Sequence, residues 1–230
     1  MKNNERIDEF ISCLDKKIMI LKKLKYVYTL YLKTMNRCLL SRKFEFKGLS
    51  FEKYYEYQKI KLKHLVYIRY GKTKEWREKG EYPVYGKDGD IVGYTNSPEY
   101  HGEYILINKT GEKAGDYFYT DSNFGANDKI IVVRSSLRMY TLFLFYFLND
   151  YKLKRLKYTS DDKVIKIKPI LNIMLNLPNF SQQIDIASFL DKIYDKKDCL
   201  DYEIELFEEF KQAIIEKNFR KNRHLEKKNT

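Results

Sequence analysis

The chain has 230 residues, 43% of them hydrophobic and 33% charged, so it can bury a core and is not a disordered tail. Its 44 Lys and Arg against 32 Asp and Glu leave a net charge of +12, an excess that favours a polyanionic partner, nucleic acid before anything else. The longest apolar run, Met139 to Leu148, is about half of what spans a bilayer, which excludes an integral membrane protein.

An acidic, amphipathic stretch follows Met1 where a signal peptide would carry an apolar segment, so a cytoplasmic location is expected. Cys13, Cys38 and Cys199 lie far apart without metal-ligand spacing, which argues against a disulfide scaffold and against a zinc module.

The first predicted element is a helix from Ile7 to Leu40, a stretch without Gly or Pro. One heptad column reads Ile7, Leu14, Leu21, Tyr28 and Met35, and its companion reads Ile11, Ile18, Lys25, Leu32 and Leu39. Nearly every seam position is apolar over about five heptads, the pattern of a coiled coil. At about 1.5 Å per residue the rod is about 50 Å long. A rod with so narrow a seam needs another rod.

Between Leu62 and Arg138 the chain gathers glycines, tyrosines and β-branched residues. Tyr82 to Tyr85 and Ile91 to Tyr94 flank Lys87-Asp88-Gly89, the signal of a hairpin with an Asp-Gly turn. Tyr104 to Ile107 and Tyr117 to Tyr119 flank a second Gly-containing loop, and Ile130 to Val133 forms a further strand. The run from Met139 to Leu156 is too long for one strand and predicts a helix. After Pro178, Ser181 is the expected N-cap of the last helix. Its seam reads Ile186, Leu190, Ile193, Lys197, Leu200, Ile204, Phe207, Lys211, Ile214 and Asn218. Residues 181–210 hold 9 acidic and 3 basic side chains, whereas residues 1–48 hold 12 basic and 5 acidic. Opposite signs on the two rods fit side-by-side packing. Leu14-Asp15-Lys16 also repeats as Leu190-Asp191-Lys192, a weak internal repeat.

The fold class expected is therefore α+β: a mainly β domain with attached helices, flanked by two long helices that form an antiparallel coiled-coil pair. The expected segments are 1–45, 46–180 and 181–222, with 223–230 as a disordered basic tail.

Signals of catalysis are thin. Gly86, Gly89 and Gly93 match neither a dinucleotide fingerprint nor a phosphate loop. His64, His101 and His224 have no carboxylate at ligand spacing, and no Cys has an adjacent His. Glu45-Phe46-Lys47 and Glu209-Phe210-Lys211 fit the Glu-x-Lys fragment of some nucleases, a triplet that chance supplies in so charged a chain. No catalytic and no metal-binding residue is assigned, and the chain is not expected to be an enzyme. Binding signals are stronger. Arg69, Lys72, Lys74 and Arg77 surround Trp76, and Lys87, Thr95, Asn96, Ser122, Asn123 and Asn127 follow in loops. Lys and Arg neutralise phosphates, and Asn can pair with adenine in the major groove. The competing reading is a coiled-coil protein-interaction module without DNA specificity.

The layout resembles the specificity subunit of Type I restriction-modification systems. The resemblance rests on Lys61-Leu62, Gly71-Lys72, the Gly80 to Gly86 stretch Gly-Glu-Tyr-Pro-Val-Tyr-Gly, Gly93-Tyr94, Ala126-Asn127-Asp128 and Leu177-Pro178. Its most specific piece is Gln182-Gln183-Ile184-Asp185-Ile186-Ala187-Ser188-Phe189-Leu190, where Gln182 replaces the family's Glu. The resemblance implies a non-catalytic target-recognition domain that reads one half of a bipartite site on double-stranded DNA. It implies helices, with Ile11, Leu14, Ile18, Leu21, Ile186, Leu190, Ile193 and Leu200 at their seam, that space such domains. DNA adenine methyltransferase subunits and restriction (translocase/nuclease) subunits would dock on the frame. S-adenosylmethionine, ATP and Mg would belong to those partners, with no cofactor in this chain. With a single recognition domain, a homodimer or pairing with another half subunit is expected.

Overall fold

The computed structural model describes residues 2–40, 57–151, 153–156 and 164–226. Backbone contacts divide them into two compact units. One combines the first helix up to Met35 with the last helix from Leu190 onward, and the other spans Asn36 to Phe189.

The helical unit is built from α1 (Lys2–Leu40) and α4 (Phe180–Glu226). At about 1.5 Å per residue these rods are about 58 and about 70 Å long. They pack antiparallel. Phe10 meets Phe210 edge-on at 6.3 Å, Asp15 meets Lys211 at 2.5 Å, Lys17 meets Glu203 at 3.4 Å, and Lys22 meets Glu208 at 2.6 Å. Leu21, Leu200 and Ile204 form a buried cluster with Tyr28 and Phe207 against it. Leu14, Ile18, Leu190 and Ile193 are also buried, and Ile11 is half-buried.

Four polar residues interrupt the expected seam, Lys25, Lys197, Lys211 and Asn218, and the three lysines are paired. Lys25 pairs with Asp201, Lys197 reaches both Asp201 and Asp198, and Lys211 reaches Asp15. Polar seam residues of this kind fix register more than they add stability. Ile186 is buried too, but it lies in the other unit.

Two helix termini differ from expectation. The last helix starts at Phe180 and not after Ser181, because Asn179 is the cap: its Oδ1 accepts the Gln182 backbone N–H at 2.9 Å. Asn is among the strongest N-cap residues, and Ser181 already lies in the first turn. At the other end the helix runs to Glu226, through the first residues of the tail expected beyond 222.

Among the described residues the second unit holds nine strands: β1 (Gln58–Lys61), β2 (Val66–Tyr70), β3 (Tyr82–Tyr85), β4 (Ile91–Thr95), β5 (Tyr104–Asn108), β6 (Tyr117–Thr120), β7 (Gly125–Ala126), β8 (Ile130–Ser135) and β9 (Met174–Leu177). Helices α2 (Thr141–Tyr151) and α3 (Ile167–Leu171) complete it. β1 pairs with β9, an antiparallel sheet runs in the order β2-β8-β5-β6, and a smaller sheet runs β4-β3-β7.

The four-stranded sheet is covered on both faces, which is why every residue of β5 is buried. On one face Tyr104, Leu106, Ile130 and Val132 pack with Tyr100, Phe124 and Ala126 from the side of the small sheet. The alternate residues point the other way, as period-two strands require. There Tyr117 and Tyr119, opposite Ile107 and Ile105, meet Phe145 of α2 at 5.4 and 6.3 Å. The helix expected over Met139–Leu156 is α2 followed by a 3-10 turn at Leu153–Leu156.

The Asp-Gly turn forms between β3 and β4. Asp88 (φ 64°) and Gly89 (φ 78°) both adopt the left-handed conformation, the geometry that favours these residues in tight hairpins.

Candidate nucleic-acid interface

β7 runs parallel to β3, with Val84 opposite Gly125 and Tyr85 opposite Ala126. β4 runs antiparallel, with Tyr82 opposite Thr95 and Tyr85 opposite Ile91. One end of the small sheet therefore collects the loops before β3, after β4 and before β7. The other end carries the Lys87 turn and Asn127, whose backbone N–H donates to Tyr85 O at 3.0 Å.

Arg77 sits at the loop end, joined to Tyr94 by two backbone bonds of 2.8 and 2.9 Å. Beside it Trp76 lies across Gly93, where an added Cβ would come 2.4 Å from the indole Cδ1. Glycine is required here by close approach. Lys74, Glu75, Trp76, Arg77 and Tyr94 to Ser97 line a cleft of about 590 Å³ at this edge. Asn96 accepts the Glu81 backbone N–H at 3.1 Å, and Thr95 accepts the Ser97 N–H at 3.1 Å. Tyr82 donates to Glu81 at 2.8 Å, and that carboxylate pushes the phenol pKa up.

Tyr100 and Phe124 form an isolated antiparallel bridge, with their rings stacked at 4.9 Å inside the core. Burial raises the Tyr100 hydroxyl pKa. Because residues alternate sides along a strand, the neighbours of this bridge project outward. His101 Nδ1 lies 3.2 Å from Asn123 Oδ1, and Glu99 Oε2 accepts a hydrogen bond of 2.8 Å from Thr73 Oγ1. Thr73 in turn accepts the Ala126 N–H at 2.9 Å.

Cations frame this region from the larger sheet. The Arg69 guanidinium stands 4.9 Å over the Tyr100 ring, and that of Arg134 stands 5.8 Å over Tyr104. Stacking on a ring holds a guanidinium in place and leaves its edge free for hydrogen bonds.

The ten candidate residues thus separate. Lys74, Arg77, Thr95 and Asn96 line the cleft at the loop end, Ser122 and Asn123 precede β7 at that end, and Arg69 stands over Tyr100, whereas Lys87 and Asn127 lie at the opposite end of the small sheet, where Gly71, beside Lys72, approaches Asn127. Four of the ten brace their own loops, Asn96 among them through the Glu81 N–H. Thr95 closes its own turn, Ser122 bonds Thr120 at 2.8 Å, and Asn127 Oδ1 accepts the Lys129 N–H at 2.9 Å. Thr73, Glu99, His101 and Arg134 join the region without having been expected there. The alternation Glu-Tyr-His around a buried Tyr100 is the signal that places the two polar residues outward.

Among the described residues no group of three His, Cys, Asp or Glu could hold a metal ion. Of the two Glu-x-Lys fragments, Glu45-Phe46-Lys47 lies outside the described residues. In the other, Lys211 is engaged by Asp15 and Phe210 by Phe10. No helix among the described residues is long and apolar enough to cross a membrane.

Residues 54–205 match the family described as Type I restriction modification DNA specificity domain. The chain belongs to that family. A putative type I specificity subunit from Mycoplasma pneumoniae is 31% identical over 116 residues, which are 48% of this chain and 38% of the relative. The fold matches the S subunit of a Type-I restriction-modification system from M. genitalium with a TM-score of 0.70 and 17% identity, over 93% of this chain and 60% of that one. It also matches the HsdS subunit from Thermoanaerobacter tengcongensis with a TM-score of 0.65 and 15% identity, over 94% and 56%. The chain therefore spans less than two thirds of the length of these relatives. The α+β architecture with long first and last helices is the fold of the specificity-subunit structures.

Proposed function

We propose that this specificity-family chain is the non-catalytic DNA reader of a Type I restriction-modification complex, recognising one half of a bipartite site on double-stranded DNA. The observation that carries the reading is the loop end of the small sheet. There Lys74 and Arg77 flank a cleft beside Trp76, while Arg69 stands over the ring of Tyr100, whose neighbours Glu99 and His101 face outward with Asn123. Cations at such a margin neutralise phosphates and set the register, and the polar side chains between them meet base edges.

Filter binding at several salt concentrations tests this. Replacing Lys72, Lys74 and Arg77 together by Ala should weaken binding and reduce the slope of log K against log salt by about 0.9 for each phosphate left without its cation. Unchanged affinity and slope would remove the patch. Absence of any DNA binding by the wild-type chain would favour a protein-interaction module.

The helix pair serves as spacer and frame in this reading, with DNA adenine methyltransferase subunits and the translocase/nuclease subunits docking on it in the cytoplasm. S-adenosylmethionine, ATP and Mg act in those subunits. Two half-sites demand two readers. A second copy of this chain fits the exposed stripe of Ile20, Leu24, Val27 and Tyr31 on α1, whose side chains are between 41% and 60% exposed. Their 4-3-4 spacing is that of a further seam beside the one occupied by α4. Sedimentation should show a dimer that Leu24→Lys with Val27→Lys converts to monomer. A wild-type monomer on and off DNA would overturn pairing.

A further inference from the structure

We infer that Glu99 is a base-reading residue of this interface, accepting a hydrogen bond from the 4-amino group of a cytosine, and that Thr73 is its positioning residue. The inference rests on the DNA-reading function proposed above.

The Glu99 carboxylate, bonded to Thr73, which Lys72 and Lys74 flank in the chain, is unsuited to face a phosphate, because like charges repel. Its side chain is nevertheless not left to swing. The Thr73 hydroxyl is nearly buried and accepts the Ala126 backbone N–H at 2.9 Å, so its own proton is directed to Glu99 Oε2 at 2.8 Å. Gly125 makes room for that hydroxyl, since a Cβ there would lie 2.9 Å from Thr73 Oγ1. Beneath, the Tyr100–Phe124 bridge is anchored by stacked rings and by reciprocal 3.1 Å backbone bonds. The exposed Glu99 carboxylate is thus braced from a rigid rung and keeps acceptor capacity, as each carboxylate has about four lone-pair sites.

Only two groups in the major groove donate hydrogen bonds, the adenine 6-amino and the cytosine 4-amino. Adenine N7, an acceptor beside its amino group, opposes a carboxylate, whereas cytosine presents no acceptor next to its amino group there. A fixed acceptor-only side chain therefore selects cytosine.

The test is selection of duplexes from a randomised library by the full chain, followed by sequencing. The wild type should enrich a motif with one position where cytosine is preferred roughly ten-fold. Glu99→Gln should flatten that position alone while binding non-cognate duplex no more weakly, since a negative charge has gone. Thr73→Val should blur the same position, and Thr73→Ser should restore it. A wild-type motif unaltered in Glu99→Gln would overturn this inference and leave DNA reading intact. Enrichment of no motif by the wild type would overturn the DNA-reading proposal, and this inference with it.

Discussion

Gln183 is buried to 1% exposure and spends its whole amide on backbone groups. Its Nε2 donates to Arg138 O and Pro178 O, each at 3.0 Å, and its Oε1 accepts the Tyr140 N–H at 2.8 Å. One side chain thus bolts the turn entering α2 to the turn entering α4. In Gln183→Ala the Pro178 carbonyl is left buried and unpaired, at about 1–3 kcal/mol, and the two half-buried groups lose about 0.5–1.5 kcal/mol each. Water entering the vacated space recovers part of this, giving a net loss of about 3 kcal/mol. Urea unfolding followed by fluorescence of Trp76, the one tryptophan of the chain, reports on this unit. The midpoint should fall with the m-value unchanged.

Gln183→Glu sharpens the argument. A carboxylate facing two carbonyl oxygens has its pKa raised above the unfolded value of about 4.3. The folded variant then binds more protons than the unfolded chain in the interval between those values. Its deficit against wild type should be smallest below about pH 4 and grow as pH rises through the raised pKa. A loss under about 0.5 kcal/mol in Gln183→Ala, or a pH-independent deficit in Gln183→Glu, would refute the bolt.

Gly71 has no unusual φ, but a Cβ there would fall 2.2 Å from Asn127 O and 2.4 Å from Ala126 O. Gly71→Ala should cost more than about 3 kcal/mol, or prevent soluble expression, because backbone has to move; a wild-type melting curve would contradict this. In the helix pair, Lys25 and then Lys197 hold the Asp201 carboxyl below its ordinary pKa. Its contribution is therefore present above an unfolded value of about 3.9 and is lost as pH falls through the depressed one. Asp201→Asn should remove that acid-limb dependence at a cost of about 1 kcal/mol or less at pH 7. Lys22→Glu with Glu208→Lys should restore the stability that either change alone lowers by a few tenths of a kcal/mol, and a double mutant no better than the singles would refute the register.

Long-period features are legible in the chain. The heptad columns specify both rods, and the charge imbalance specifies their opposition, since Lys17, Lys22 and Lys25 face Glu203, Glu208 and Asp201. The Asp88-Gly89 hairpin is legible for a local reason: two left-handed residues in succession leave little choice of amino acid. Strand order is not, because placing β8 between β2 and β5, or β7 parallel to β3, depends on contacts remote in sequence. The same limit applies to the interface. Arg69, Lys72, Lys74 and Arg77 are close in sequence and read as one patch, whereas Lys87 and Asn127 share their chemistry although the small sheet sends them to its other end. Glu99 is silent in the sequence because its meaning comes from Thr73, 26 positions away.

The division of labour inside the recognition unit follows from how its small sheet is closed. Gly71, Gly93 and Gly125 each lie where a Cβ would strike a neighbouring chain segment: Ala126 and Asn127, Trp76 and Arg77, and Thr73 and Val84 respectively. These approaches join the 71–77 segment, β4 and β7 through backbone atoms and the side chains of Thr73, Trp76 and Val84. Side chains that project from the 71–77 segment, such as Lys72 and Lys74, carry none of that closure. Those positions can accordingly change identity at little cost to the fold, typically within about 0.5 kcal/mol for exposed sites. Glu99 is the exception, since its bond to Thr73 ties it into the closure. A surface that reads sequence needs this arrangement, with a stiff frame under replaceable contacts and a few that are oriented from beneath.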